Sequence, residues 1–251
     1  MATKHYVVTG EQYRIVDRRM REIKRQLDQE DGSPLDPDWV SDELQRIVEG
    51  QIAQLTVSRG VILATAIDFS LWLAKWEKFY KKVYGRKYDF SGISIPQADD
   101  IFAWPVCMAG DIPAEDWLSA GKDPFPFWKY TTEKLDDVID FSFGRDGLAR
   151  QYIVRFKANT EADEELKNIS ANKIAEMGIN TGSLKERLAL GRFLSWDRSL
   201  TLDKETFTLC TGSRDSVGGV PHVHWHDGGL GVNWCNPDGA DPSLRSRQAV
   251  S

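Results

Sequence analysis

The chain has 251 residues, 41% hydrophobic, 11% aromatic and 28% charged, with a formal net charge of -6. That length supports one substantial core plus a smaller helical unit, and the composition excludes disorder over most of the chain. The acidic balance argues against a whole-protein electrostatic footprint for nucleic acid, and the absence of a signal-peptide pattern or a long apolar run predicts no membrane span and a cytoplasmic location by default.

Thr9-Gly10-Glu11-Gln12 reads as a capping box that opens a helix, and Tyr13, Val16, Met20, Ile23 and Leu27 then recur at spacings of three and four on one stripe. Gly32-Ser33-Pro34 ends that helix, and Asp36-Pro37 starts a second as N-cap and N1. Trp39, Val40, Leu44, Ile47 and Val48 give the second helix an apolar side, so residues 1–50 read as an αα-hairpin unit. Arg14, Arg18, Arg19, Arg21, Lys24 and Arg25 on the first helix fit a nucleic-acid module, a solvated helix or an oligomer contact, with Asp17 and Glu22 diluting the positive face.

Residues 51–150 read as a helix with a Trp/Pro-rich connecting region. Positions 51–65 are ambiguous between strand and connector. Ile67 to Tyr84 place Phe69, Trp72, Trp76, Phe79 and Val83 on one helical side, as core aromatics. The Gly- and Pro-punctuated stretch 85–127 reads as loops packed on the core through its tryptophans.

From Gln151 the pattern changes to a strand at Tyr152–Phe156, then helices near Ser170–Met177 and Leu184–Phe193, the latter opened by the capping box Ser183-Leu184-Lys185-Glu186. Strands are then predicted at Thr206–Cys210, Val220–His226, Leu230–Cys235 and Leu244–Val250. The order gives an α+β fold: an N-terminal helical region, then a domain with two helices and a small, mainly antiparallel sheet.

Pro221-His222-Val223-His224-Trp225-His226-Asp227 holds three of the four histidines. Period-two geometry turns His222, His224 and His226 to one face and Val223 and Trp225 to the core. The following strand repeats the pattern, with Leu230, Val232 and Trp234 inward and Gly231, Asn233 and Cys235 outward. A metal-binding domain or metal-dependent enzyme using His222, His224 and His226, with Asp227 as an oxygen ligand, is the alternative reading of this strand. A Ser/His/Asp triad has no nucleophile elbow to support it. Cys107, Cys210 and Cys235 form neither a zinc-ribbon spacing nor a disulfide framework.

Between Thr206 and Ser251 there is no Lys, Glu or Met, whereas average usage gives about six Lys plus Glu over that length. The residues Phe207–Arg214, Gly219-Val220-Pro221, Trp225, Gly229-Leu230, Val232, Trp234 and the ending Pro242–Ser251 resemble the C-terminal domain of variable proteins diversified by diversity-generating retroelements. The resemblance covers about 151–251 and implies a C-type-lectin-like fold of the formylglycine-generating-enzyme type.

It also implies a mechanism of variation. An error-prone reverse transcriptase miscopies template adenines, so that Asn codons become His, Asp, Tyr, Ser, Gly, Ala or Cys but never Lys, Glu, Gln, Met or Trp. Under that rule His222, His224, His226, Asp227, Asn233, Asn236, Asp238 and Asp241 are the candidate variable binding positions, with Gly231, Cys235 and Gly239 as weaker members. Trp225, Trp234 and Gln248 belong to a fixed frame. The implied protein is a non-enzymatic binder with no catalytic residues and no cofactor, whose partner is a protein or a cell-surface ligand. No acidic cluster with calcium spacing is present in the tail, so calcium-dependent sugar binding is not implied.

Overall fold

The computed structural model describes residues 10–28, 36–48, 57–58, 61–62, 69–121 and 126–251. The chain divides into two compact units, Met1–Thr65 and Ala66–Ser251. The fold is α+β, with helices first and a sheet-rich region after them.

In the first unit α1 spans Gly10–Leu27 and α2 spans Pro37–Val48. Asp36 Oδ1 accepts the Asp38 N–H at 3.0 Å, the bond an N-cap makes to the second helical residue. On the α1 stripe Met20, Ile23 and Leu27 are half-buried while Val16 is 57% exposed. The basic side of the same helix is partly neutralised by the pairs Arg21–Asp17 and Arg25–Glu22. Within 51–65, β1 (Val57–Ser58) and β2 (Val61–Ile62) pair antiparallel. The Thr9 capping box and the Gly32–Pro34 stop lie outside the described residues, as do the side chains of Tyr13, Trp39, Ile47 and Val48.

The second unit begins with α3 (Phe69–Phe79), where Trp72, Trp76 and Phe79 are buried as the helical spacing predicts. The helix then widens into a π-helical turn, Tyr80–Tyr84, and stops at Gly85, whose φ of +69° suits a residue without Cβ. The wider turn carries both Tyr80 and Val83 inward.

The stretch 85–127 is more regular than loops. It holds the strand β3 (Trp104–Met108) and the short helix α4 (Asp116–Ser119). All five β3 residues are buried, so no polar alternation marks the strand. The Pro105 carbonyl accepts both indole N–H groups of α3, from Trp72 at 2.5 Å and Trp76 at 2.9 Å. There follow β4 (Phe127–Lys129), α5 (Leu135–Val138), β5 (Tyr152–Phe156), α6 (Ala171–Glu176) and α7 (Leu184–Arg198).

The capping box at Ser183 forms in both directions, and α7 runs five residues past Phe193 to a left-handed Ser199. Every residue from Leu184 to Leu194 is buried. Trp76 stacks on Phe193 with ring centroids 4.0 Å apart, so the core runs through residues on both sides of position 150.

The remaining strands are β6 (Phe207–Leu209), β7 (Val220–His226), β8 (Gly229–Cys235), β9 (Leu244–Arg245) and β10 (Ala249–Val250). They form two sheets: β10-β5-β3, fully antiparallel, and β4-β8-β7-β6-β9, in which the outer pairings β4·β8 and β6·β9 are parallel.

The single strand predicted at Leu244–Val250 is therefore two strands in different sheets. The break is made by Arg247, 2% exposed, whose guanidinium turns inward to the carbonyls of Asn159 and Thr160 and to Asp203. Asp203, itself fully buried, also pairs with Arg187 of α7 at 2.7 Å and accepts the Thr208 hydroxyl. Burial alone would raise its pKa, but the two guanidiniums hold it below the ordinary carboxylate value.

Candidate binding surface

The register of β7 against β8 sets His222 opposite Asn233, Val223 opposite Val232, His224 opposite Gly231 and Trp225 opposite Leu230. Val223, Leu230 and Val232 are buried in the core, and Trp225 and Trp234 pack against it. His222, His224, His226, Asn233 and Cys235 share the other face, in the predicted alternation. The two strands join through Asp227 (φ +49°) and Gly228 (φ +76°), which both occupy the left-handed region, as a type I′ hairpin turn requires.

The histidine face is less open than alternation alone suggests. At one end Ala171 of α6 closes over Leu209 and Val220, with Cys235 and Leu244 packed beside them. At the other end His226 and Asp227 are exposed, and His226 Nε2 lies 3.1 Å from Asp227 Oδ2. In the middle His224 is only 9% exposed. Its ring lies between Phe207 of β6 (centroids 4.2 Å) and Trp128 of β4 (5.1 Å, edge-to-face), and Trp128 in turn meets Tyr130 at 5.0 Å.

Trp128 reaches His224 because it passes over Gly231 of the intervening strand. A Cβ at Gly231 would stand 2.3 Å from Trp128 Cζ2 and 2.7 Å from His224 Cε1. Gly231, a weaker candidate for variation, is thus required by packing.

The surroundings disfavour a charge on two of the three imidazoles. Burial, and next the neighbouring His224, push the His222 pKa down to about 4. Burial, and next His226, lower that of His224. The Nδ1 atoms of His222 and His224 are buried without a hydrogen-bond partner. Neighbouring imidazole centroids are 6.2 and 6.1 Å apart, with rings tilted by 32° and 36°. Among the described residues no group of three His, Cys, Asp or Glu side chains is placed to hold a metal ion.

The other candidate positions lie beyond β8. Asn236, Asp238 and Asp241 are exposed, at the opposite end of the hairpin from Asp227, about 20 Å away for strands of this length. Each also has a hydrogen-bond partner within the chain. Asn236 Oδ1 accepts the Asp238 N–H, Asp241 Oδ1 accepts the Ser243 N–H and hydroxyl, and Asp238 Oδ1 accepts from Asn172 of α6 at 2.6 Å. The bonds at Asn236 and Asp241 are the Asx-turn contacts that make such residues common in loops, whereas the Asp238 contact ties the loop to α6. Asn233 is half-buried and its Oδ1 accepts the Trp234 N–H at 2.7 Å.

The sequence reading missed Trp128, Tyr130 and Phe207 as members of this face. Trp128 and Tyr130 sit two apart, the strand spacing that marks a shared face, within a short aromatic run that proline punctuates as a loop. Phe207 has the same parity as Leu209, whose partner is His222.

No protein-family profile matches the chain, and no curated protein or solved structure does either.

Proposed function

We propose that this protein is a non-enzymatic binder whose C-terminal part is a C-type-lectin-like domain carrying a retroelement-diversified surface. The observation that supports this reading best is the two-sided β7–β8 hairpin. Its tryptophans, which adenine miscopying of an Asn codon does not produce, pack on the core, while residues so reachable occupy the opposite face and the adjoining turns. Stability then resides in Val223, Leu230 and Val232, and recognition in side chains that contribute little to folding.

The geometry refines the eight positions. His226, Asp227, Asn236, Asp238 and Asp241 are exposed and His222 and Asn233 half-exposed, so these seven present atoms to a partner. His224 forms the floor, packed between Phe207 and Trp128, and a substitution there reshapes the surface more than it offers a contact. At Asp227 the positive φ favours Asn, Asp and Gly. All three are products of the same codon change, so diversity at the hairpin tip is narrow on this reading.

The partner is a protein or cell-surface ligand, and aromatic Trp128, Tyr130 and Phe207 around the histidines supply the ring-rich composition of interface hot spots. The gene's surroundings test the reading. A reverse-transcriptase gene and a near-copy of the 3′ coding region, differing from it at template adenines, are expected; a locus with neither contradicts it.

A further inference from the structure

A second surface lies in the first unit and shares no residue with the histidine face. Six of the eighteen residues of α1 are basic and three are acidic, in a chain whose net charge is -6. Four of the six are Arg14, Arg18, Arg21 and Arg25, at spacings of four, three and four. At about 100° and about 1.5 Å per residue they fall within an arc of about 60° and form a row about 16 Å long. All four are exposed. With Glu22 they line a groove of about 580 Å³.

Like charges three and four residues apart repel, so the row is a cost to the isolated helix. The acids of α1 offset that cost only in part. Asp17 pairs with Arg21, and Glu22 accepts from Arg25 Nε at 2.9 Å and from its Nη2 at 2.7 Å. Arg14 and Arg18 form no ion pair among the described residues. Both existing pairs are exposed, where an ion pair contributes little and gives way readily to a more highly charged anion.

The position of the row decides among anionic partners. It is centred about 160° round the helix from the apolar stripe of Val16, Met20, Ile23 and Leu27. A helix lying in a bilayer interface sinks its apolar stripe, which would turn these arginines away from the lipid headgroups. A protein with scattered carboxylates meets only part of a row that repeats at about every turn. A nucleic-acid strand presents phosphates as regularly as α1 presents guanidiniums, and the planar guanidinium can bind phosphate through two parallel bonds.

We propose that the row Arg14, Arg18, Arg21 and Arg25 binds the phosphate backbone of a nucleic-acid duplex without reading its sequence. Arg14 and Arg18 take phosphates directly, and Arg21 and Arg25 exchange Asp17 and Glu22 for them. Each contact releases counterions from the duplex, so ionic strength governs the affinity.

The test is fluorescence anisotropy of the full chain with a labelled DNA duplex of mixed sequence. Four phosphate contacts predict that log K falls with log salt at a slope of about 3.6, a loss of about a hundredfold between about 50 and 200 mM salt. Arg14→Gln combined with Arg18→Gln keeps good helix formers and breaks no ion pair, and should bring the slope to about 1.8. Lys81→Gln combined with Lys82→Gln changes two exposed residues of the second unit and the net charge by the same amount, and should leave binding unchanged. Glu22→Gln removes the carboxylate from the groove and should tighten binding about fivefold, which unfolding of α1 would not do. No binding at about 50 mM salt, equal losses in the two double variants, or weaker binding by Glu22→Gln overturns the site. Binding to phosphatidylglycerol vesicles that the Arg14 and Arg18 changes abolish overturns the assignment to nucleic acid.

Discussion

Gly231 shows how a single residue without a side chain organises the candidate surface. It opens the gap through which Trp128 crosses β8 to reach His224. Gly231→Ala should therefore cost about 1–3 kcal/mol in a urea or thermal melt, the range for inserting a methyl group into packed surroundings. The cost should shrink in a Trp128→Ala background, a coupling that a double-mutant cycle reads directly.

His222 makes a second residue-level prediction, from its lowered pKa. The unfolded chain binds the proton first, so the native state is fully favoured above about pH 6.5 and loses that advantage as pH falls toward about 4. Between pH 7 and 5 the loss from this residue is about 1–2 kcal/mol. His222→Asn should flatten the pH dependence of stability over that interval by a comparable amount. Asp203 is the third case. Asp203→Ala leaves Arg187 and Arg247 buried without their shared carboxylate and should cost about 3–5 kcal/mol, the range for breaking one partner of a buried ion pair.

Among the elements, those written by local rules were readable and those written by distant contacts were not. Most of β7 follows from the alternation at Pro221–His226, and the start of α7 follows from the Ser183–Glu186 capping box. The type I′ turn shows in the Asp227-Gly228 pair. At position 227 Gly or Asn should be tolerated within about 0.5 kcal/mol, whereas the β-branched Asp227→Val should cost about 1 kcal/mol or more, as measured by thermal melts.

In contrast, β3 is buried along its whole length and carries no alternation. β4 is three residues long and exists because β8 offers a parallel edge. The chain between β9 and β10 reads as one strand, since nothing local says that Arg247 will turn inward to an aspartate 44 residues earlier. The candidate surface divides the same way. The shared face of His222, His224, His226 and Asn233 came from parity alone, but the burial of His224 depends on Trp128 and Phe207, which alternation within β7 does not report.

For the whole molecule, the Ala66–Ser251 unit separates its tasks by position. The core joins α3, α7 and the inner faces of both sheets, and the buried Arg187–Asp203–Arg247 cluster ties the C-terminal segment to α7 behind the hairpin. The outer face of the five-stranded sheet and the turns at both hairpin ends are left to carry variation on the proposed reading. That reading makes a positional claim, and deep sequencing of the gene's 3′ end across independent populations of its host tests it most directly. Substitutions concentrated at His222, His226, Asp227, Asn233, Asn236, Asp238 and Asp241, drawn from the products of Asn codons, with Trp225, Gly231, Trp234 and Gln248 unchanged, are the predicted result. Substitutions spread evenly through residues 151–251, or an invariant 3′ end, would contradict it.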